Sequence, residues 1–457
     1  MKLKYYLVFT AFALSSCGEG FFEQYPSNDI TEGNFYKTDD DFNQGVVSCY
    51  AKLKTMMSFH LTEIGYRSDE NILESMAVST QDRYDIDNFI ETASNGILSD
   101  IWDAWYNGIY RCNDVLDHMN GVQIPNYNKY RGECLFMRSW WYFNLYRTFG
   151  VVPIARTVVP PAAAKLIPRC TEEEMYSLLT EDLAEAARLL PDTRNAEKAR
   201  VTGIAAYTLL AKVYLTFGKH AEARTALDEA MKATGYGLES TTKRVFDINN
   251  KMNKEVIFAL YYNKANDTGH GYWYSTTKPE EAQLTQPAPV FRALYDAQDN
   301  RLPLISEYTE DKKGTYLLNK WFDNRNDALK GNVVENDFPH LRYADITLMY
   351  AEALAETDLP TALTWLNKTR IRAGLDELTS DDVKTKAEFI RELAAERGRE
   401  FALEGHRWFD LVRLGLAVEH FRNLGYTLDA HNLIFPIPQN QIEIVNNPSI
   451  LWQNPGF

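Results

Sequence analysis

Cysteine is scarce in this sequence: five residues in 457, with no CxxC spacing. Cys49, Cys112, Cys134 and Cys170 are too few and too scattered to staple a chain of this length, so they are expected as buried free thiols, with one disulfide among them left open. Positive charge is also short. Lys and Arg number 48 against 63 Asp and Glu, a formal charge of −15, which opposes nucleic acid and anionic lipid because both are bound through cations that neutralise phosphate. Long apolar runs are missing too: the run Tyr5 to Leu14 has ten residues, about half of the roughly 20 a membrane-crossing helix needs. Finally there is no GxxxxGK[ST], GxSxG or HExxH, and the eight histidines include no pair at metal-ligand spacing on one helix. No cofactor, metal site or catalytic motif is expected.

What the N-terminus does contain is an address. Lys2 and Lys4, the apolar run and the small pair Ser15-Ser16 have the layout of a secretory signal peptide. Leu14-Ser15-Ser16-Cys17 resembles a bacterial lipobox, in which the chain is cut before the cysteine and its thiol is acylated. The expectation is therefore a signal peptide over 1–16, lipidation at Cys17, and a polar tether over 17–38 that lies against the body.

Helical periods begin behind the acidic run Asp39 to Asp41, with Phe42, Val46, Tyr50 and Leu53 on one face. Further faces run through Ile101, Trp105, Ile109 and Leu116, and through Leu135, Trp141, Leu145 and Phe149, the last ended by Gly150 and Pro153. In "AAYTLLAKVYLTFGKHAEARTALDEAM" the alternation of Tyr207, Leu210, Ala211 and Tyr214 with Ala223, Leu227 and Ala230 matches a tetratricopeptide-like helix pair turning at Gly218. A second pair places Ala351, Leu354, Ala362 and Leu366 inward across Pro360. With two vaguer pairs upstream, the pattern predicts a mostly α protein: an α-α superhelix of about four helix pairs, scaffold over about 39–234 and 340–424.

Between about 235 and 339 the pattern changes to one strand-like run, "EVIFALYY", and loops rich in Gly, Pro, Asn and aromatics. So much irregular chain inside a folded body points to a loop-rich ligand-binding region with little β structure. Trp102, Trp105, Trp140, Trp141 and Trp408 lie in helical periods and are expected in the core. By contrast Tyr272, Trp273 and Tyr274 are consecutive in a Gly-flanked loop, and Trp321 stands beside Asp323, Asn324 and Arg325. A sugar presents an apolar C–H face and a rim of hydroxyls, so exposed rings edged by Asn, Asp and Arg suit a carbohydrate.

One carboxylate row offers an enzymatic rival. Glu392, Glu396, Glu400 and Glu404 recur every fourth residue on one helix face, about 6 Å apart, within the separation two glycosidase carboxyls use. Arg391, Arg397, Arg399, Arg407 and Arg413 in the same segment favour an Arg/Glu network joining helices instead.

"FPHLRYADITLMYAEALAE", "LNKTRIRAGL", "ERGREFALEGHRWFDLVRLG" and "LIFPIPQNQIEIVNNP", preceded by "CGEGFFEQYPSNDIT", "WDAWYNGIYRCNDVL" and "RSWWYFNLYRTFGVVP", resemble the ordered signatures of the SusD/RagB family of Bacteroidetes outer-membrane lipoproteins. The resemblance spans essentially the whole chain after Cys17. It implies a non-catalytic nutrient-binding lipoprotein at the cell surface, anchored to the membrane by its lipid. It also implies a SusC-like TonB-dependent transporter as partner, capped like a lid, and an oligosaccharide as ligand. Ligand sites in the family draw on loops before the "WDAWY" helix, which adds Arg67, Asp69, Asn71 and Tyr84 as candidates, and on loops after the central strand, which coincide with Tyr272, Trp273, Tyr274 and Trp321. The rival readings are a repeat scaffold that binds protein without a sugar site, and the glycosidase.

Overall fold

The computed structural model describes residues 35–73, 81–191, 199–263, 285–305, 307–308, 316–317, 320 and 335–457. Cys17, Tyr272, Trp273, Tyr274 and Trp321 lie outside the described residues, as does most of the tether.

The scaffold is four helix pairs in series: α1 (Asp39–Gly65) with α2 (Gly96–His118), α3 (Tyr127–Phe149) with α4 (Glu172–Leu189), α5 (Gly203–Thr216) with α6 (His220–Ala230), and α7 (Tyr343–Leu354) with α8 (Leu359–Arg372). Each helix packs on the next, and the series carries over from α6 to α7 although a long insertion separates them in sequence. That serial packing is the mostly α superhelix the periodicity predicts.

Local signals set the boundaries. Thr38 caps α1 through a reciprocal box with Asp41, as Thr171 and Glu174 do for α4, satisfying N–H groups the helix cannot. Gly218 turns α5 into α6 with φ +68°, a conformation that costs glycine nothing. Gly108 on α2 lets Trp141 of α3 approach so closely that a Cβ there would sit 2.3 Å from the indole. The predicted inward residues Phe42, Trp105, Trp141, Leu227, Ala351 and Leu366 are buried, as are Trp102, Trp140 and Trp408. Cys49, Cys112, Cys134 and Cys170 are buried free thiols.

Among the described residues three antiparallel strand pairs complete the body: β1 (Asn71–Leu73) with β3 (Thr285–Pro287), β2 (Val256–Leu260) with β6 (Phe338–Arg342), and β4 (Glu307–Tyr308) with β5 (Tyr316–Leu317). The strand-like run is β2, buried along its length, which is why it shows no alternation. Its partner β6 straddles the boundary expected near 339/340 between the loop-rich region and the helical scaffold, and α7 starts at Tyr343. Downstream follow α9 (Lys386–Glu400), α10 (Arg407–Arg413) and α11 (Ala417–Asn423). The C-terminal strap then returns to the first half: Phe435 N–H donates to Thr148 O at 2.8 Å, Gln439 N–H to Ala93 O at 2.8 Å, and Asn454 Nδ2 to Phe149 O at 2.9 Å. Among the described residues no helix is long and apolar enough to cross a membrane.

Candidate functional site

The strand registers decide where the candidate loops begin and end. Leu260 pairs with Phe338, so the chain leaving β2 departs beside the chain entering β6. Leu73 pairs with Thr285, so the chain leaving β1 departs beside the chain entering β3. The strand before the segment carrying Tyr272, Trp273 and Tyr274 is thus paired with the strand that follows Trp321 in sequence, and the strand after it is paired with the one that precedes Tyr84. Each short ladder brings together two chain ends that are far apart in sequence.

The segment before α2 is anchored by charge. Arg83 donates to Glu63 from Nε at 2.7 Å and from Nη2 at 2.8 Å, tying the short helix Gln81–Asp87 to the end of α1. Tyr84 rides on that helix, half-buried, with its carbonyl accepting from Asn88.

Three of the candidates from this segment are corrected by their burial. Arg67 has no exposed surface: Nη1 donates to Glu91 at 2.9 Å, and the guanidinium lies between the rings of Phe89 and Phe435. Asp69 accepts both arms of the Arg407 fork at 2.8 and 2.9 Å, with His420 Nε2 at 2.7 Å. The Arg407 guanidinium, with the His420 hydrogen bond, outweighs the cost of burial and holds its carboxyl well below the usual range. Asn71 is buried in β1 opposite Pro287. Arg67, Asp69 and Asn71 thus fix the loop from within and offer nothing to a solvated ligand. Charged residues near aromatics look alike in sequence whether they face a sugar or an ion-pair partner.

At the exit of β2 the structure adds residues the sequence reading missed. Tyr261 is among the exposed large rings, with Lys251 Nζ 3.9 Å from its centroid. Lys251 also pairs with Asp337 at 2.8 Å, yet burial dominates and pushes the Asp337 carboxyl up to about 6. The available signal was the double tyrosine closing "EVIFALYY": alternation puts Tyr262 inward and its neighbour out.

Three members of the glutamate row, Glu396, Glu400 and Glu404, are spent on cations. Arg301 donates to Glu396 at 2.8 Å and Glu400 at 3.0 Å; Arg342 reaches Glu400 at 2.5 Å, Glu404 at 2.8 Å and Glu255 at 2.8 Å. Arg372 adds to Glu400, Arg399 to Glu396, Lys320 to Glu404, and Asp299 completes the set on Arg301. Five cations meet five carboxylates. Glu396, Glu400 and Glu404 have almost no exposed surface, and the arginines hold Glu396 and Glu400 below the usual carboxylate range despite burial. A glycosidase acid needs a proton near neutral pH and access to substrate; Glu396 and Glu400 have neither, and Glu404 has no access. The network was expected, its partners were not: of the arginines in that segment only Arg399 joins it, while Arg397 pairs with Asp345 and Asp410, Arg407 with Asp69, and Arg413 with Glu352. Among the described residues, none cluster as a metal site.

A broad surface cleft of about 750 Å³ lies elsewhere, lined by Ile154, Arg156, Ile167 to Thr171, Glu173, Glu174 and Ser177. It has no aromatic ring in its wall and lacks the platform a pyranose face requires.

Comparison with known proteins places the whole architecture. Residues 298–457 match the model of the SusD family, and residues 22–215 match a model described as starch-binding, associating with outer membrane. The chain is similar to a SusD-like protein of Formosa agariphila, 25% identical over 99% of this chain and 100% of that one. A SusD superfamily protein from Bacteroides vulgatus superposes with TM-score 0.78 at 23% identity, covering 93% of this chain and 100% of the other. A laminarin-binding SusD-like protein superposes with TM-score 0.79 at 24% identity, covering 92% and 100%.

Proposed function

The chain belongs to the SusD/RagB family, and from that premise we propose that it is a non-catalytic glycan receptor: a lipoprotein anchored through Cys17 in the outer membrane, facing the cell's surroundings, that hands oligosaccharide to a SusC-like TonB-dependent transporter. The observation that supports the glycan reading is that the two strand registers frame both ends of the segment carrying Tyr272, Trp273 and Tyr274, one of them beside the chain that returns after Trp321. On this reading Tyr272, Trp273, Tyr274 and Trp321 are sugar platforms, Tyr84 stands at their margin, and Tyr261 extends the aromatic surface from a framed position.

The test is a binding screen of the mature protein, begun after Cys17, against plant, host and microbial glycans, with Trp273→Ala and Trp321→Ala beside it. Loss of one stacked ring, worth roughly 0.5–1.5 kcal/mol beyond area, weakens binding about three- to tenfold and releases no reducing ends. A folded protein that binds none of the glycans sinks the receptor reading in favour of a scaffold that binds protein. Reducing ends that vanish in Glu396→Gln or Glu400→Gln would restore the glycosidase.

A further inference from the structure

Beside the five-by-five network runs a second chain of buried charges. Lys212 pairs with Asp345 at 2.5 Å, Asp345 with Arg397 at 3.0 Å, Arg397 with Asp410 at 2.8 Å, Asp410 with Arg413 at 2.8 Å, and Arg413 with Glu352. Cations and carboxylates alternate, and the chain closes neutral. Arg147 on α3 is left over. Among the described residues it has no carboxylate partner: Nη2 donates to Asn144 Oδ1 at 2.6 Å, and the guanidinium lies over Phe143 at 4.5 Å and Phe409 at 4.0 Å. Its Nε is sealed from solvent and donates to nothing. Arg169 also lacks a carboxylate, but it spends its donors on the carbonyls of Val151, Phe149 and Trp452 and on Asn454.

A cavity of about 20 Å³ adjoins this surplus cation, its wall including Trp140, Asn144, Arg147, Lys212, Glu404 and His406. Trp140, 5% exposed, brings a second buried donor without an acceptor, its indole Nε1–H. The one carboxylate in the wall, Glu404, is already held by Arg342 and Lys320. We propose that this cavity binds one monatomic anion of the halide class, chloride under ordinary conditions, which accepts from Arg147 Nε and Trp140 Nε1 and brings the buried charge to zero. The volume suits a particle of about water size, and a largely enclosed cation without a counter-charge is costly. The same excess shows in the neighbours: burial, with Arg397 beside it, pushes Lys212 down to about 8, burial pushes Arg147 down to about 9, and burial with Lys212 beside it holds His406 well below its ordinary value.

Crystals grown with bromide in place of chloride test this directly. One anomalous peak in the cavity, in contact with Arg147 Nε and Trp140 Nε1, is the expected result. In solution the Tm falls by roughly 1–3 °C when chloride is replaced by gluconate, too large for the cavity, at equal ionic strength. Arg147→Met and the milder Trp140→Phe both lose that difference. A water molecule in the cavity without anomalous signal overturns the proposal, and so does a wild-type Tm that is equal in the two salts.

Discussion

The α5/α6 pair and the surroundings of α9 are equally buried and held by opposite means. Between α5 and α6, Ala205, Ala206, Leu209 and Val213 meet Ala223, Ala226, Leu227 and Ala230, all enclosed. Around α9 the enclosed residues are Arg301, Arg342, Arg372, Arg399 and Lys320 against Asp299, Glu255, Glu396, Glu400 and Glu404. The first interface is non-directional and needs only volume and pattern. The second draws its charges from β6, α8, α9, Glu404 just beyond it and the insertion, and its paired charges need donor and acceptor geometry as well as volume. Desolvation consumes much of the gain from such pairs, so the network's contribution is specificity: it fixes where the insertion rejoins the scaffold, and with it the base of the candidate loops.

The largest break in this comparison is Arg342→Met. It leaves Glu255, Glu400 and Glu404 each short of a cation and is expected to cost about 3–5 kcal/mol, read by urea unfolding. A loss under about 1 kcal/mol would mean that the network relaxes and specifies little. Arg342→Lys should recover only part, because an ammonium lacks the fork that reaches three carboxylates. The matching break in the apolar pair is Leu227→Ala, at about 3 kcal/mol. There the conservative change Leu227→Met should come within about 1.5 kcal/mol of wild type. If both conservative changes recover equally, the contrast between the regions fails.

The contrast also explains what was legible. Small/large alternation announced α5/α6 and α7/α8 because apolar packing repeats at helical spacing, and buried Trp105 and Trp141 followed from the same period. The glutamate row was visible, but its partners Arg301, Arg342 and Arg372 sit at unrelated positions, and charge carries no period that points across the fold. Arg67 and Asp69 became ligand candidates through the family resemblance, and the sequence held nothing against it because their partners Glu91 and Arg407 lie 24 and 338 residues away. β6 gave no strand signal because its five residues are all buried and so show no alternation.

Glu70 sharpens the comparison with the smallest effect and an opposite sign. It is buried, accepts the Leu403 N–H at 2.9 Å, and lacks the arginine fork its neighbour Asp69 holds; burial first, and then Asp69, push its carboxyl from 4.5 up to about 8. For Glu400 and Asp410, whose carboxyls are depressed by arginines, the stabilising contribution is present above the unfolded value and lost as pH falls. For Glu70 the contribution is present below its unfolded value and is lost as pH rises toward 8. Unfolding free energy should therefore decline between about pH 5 and 8, and Glu70→Gln, neutral throughout, should flatten that decline. The variant gains about 1–3 kcal/mol on wild type across the interval. Curves that stay parallel from about pH 5 to 8 would show that Glu70 is ionised in the folded protein and paired like the network's carboxylates.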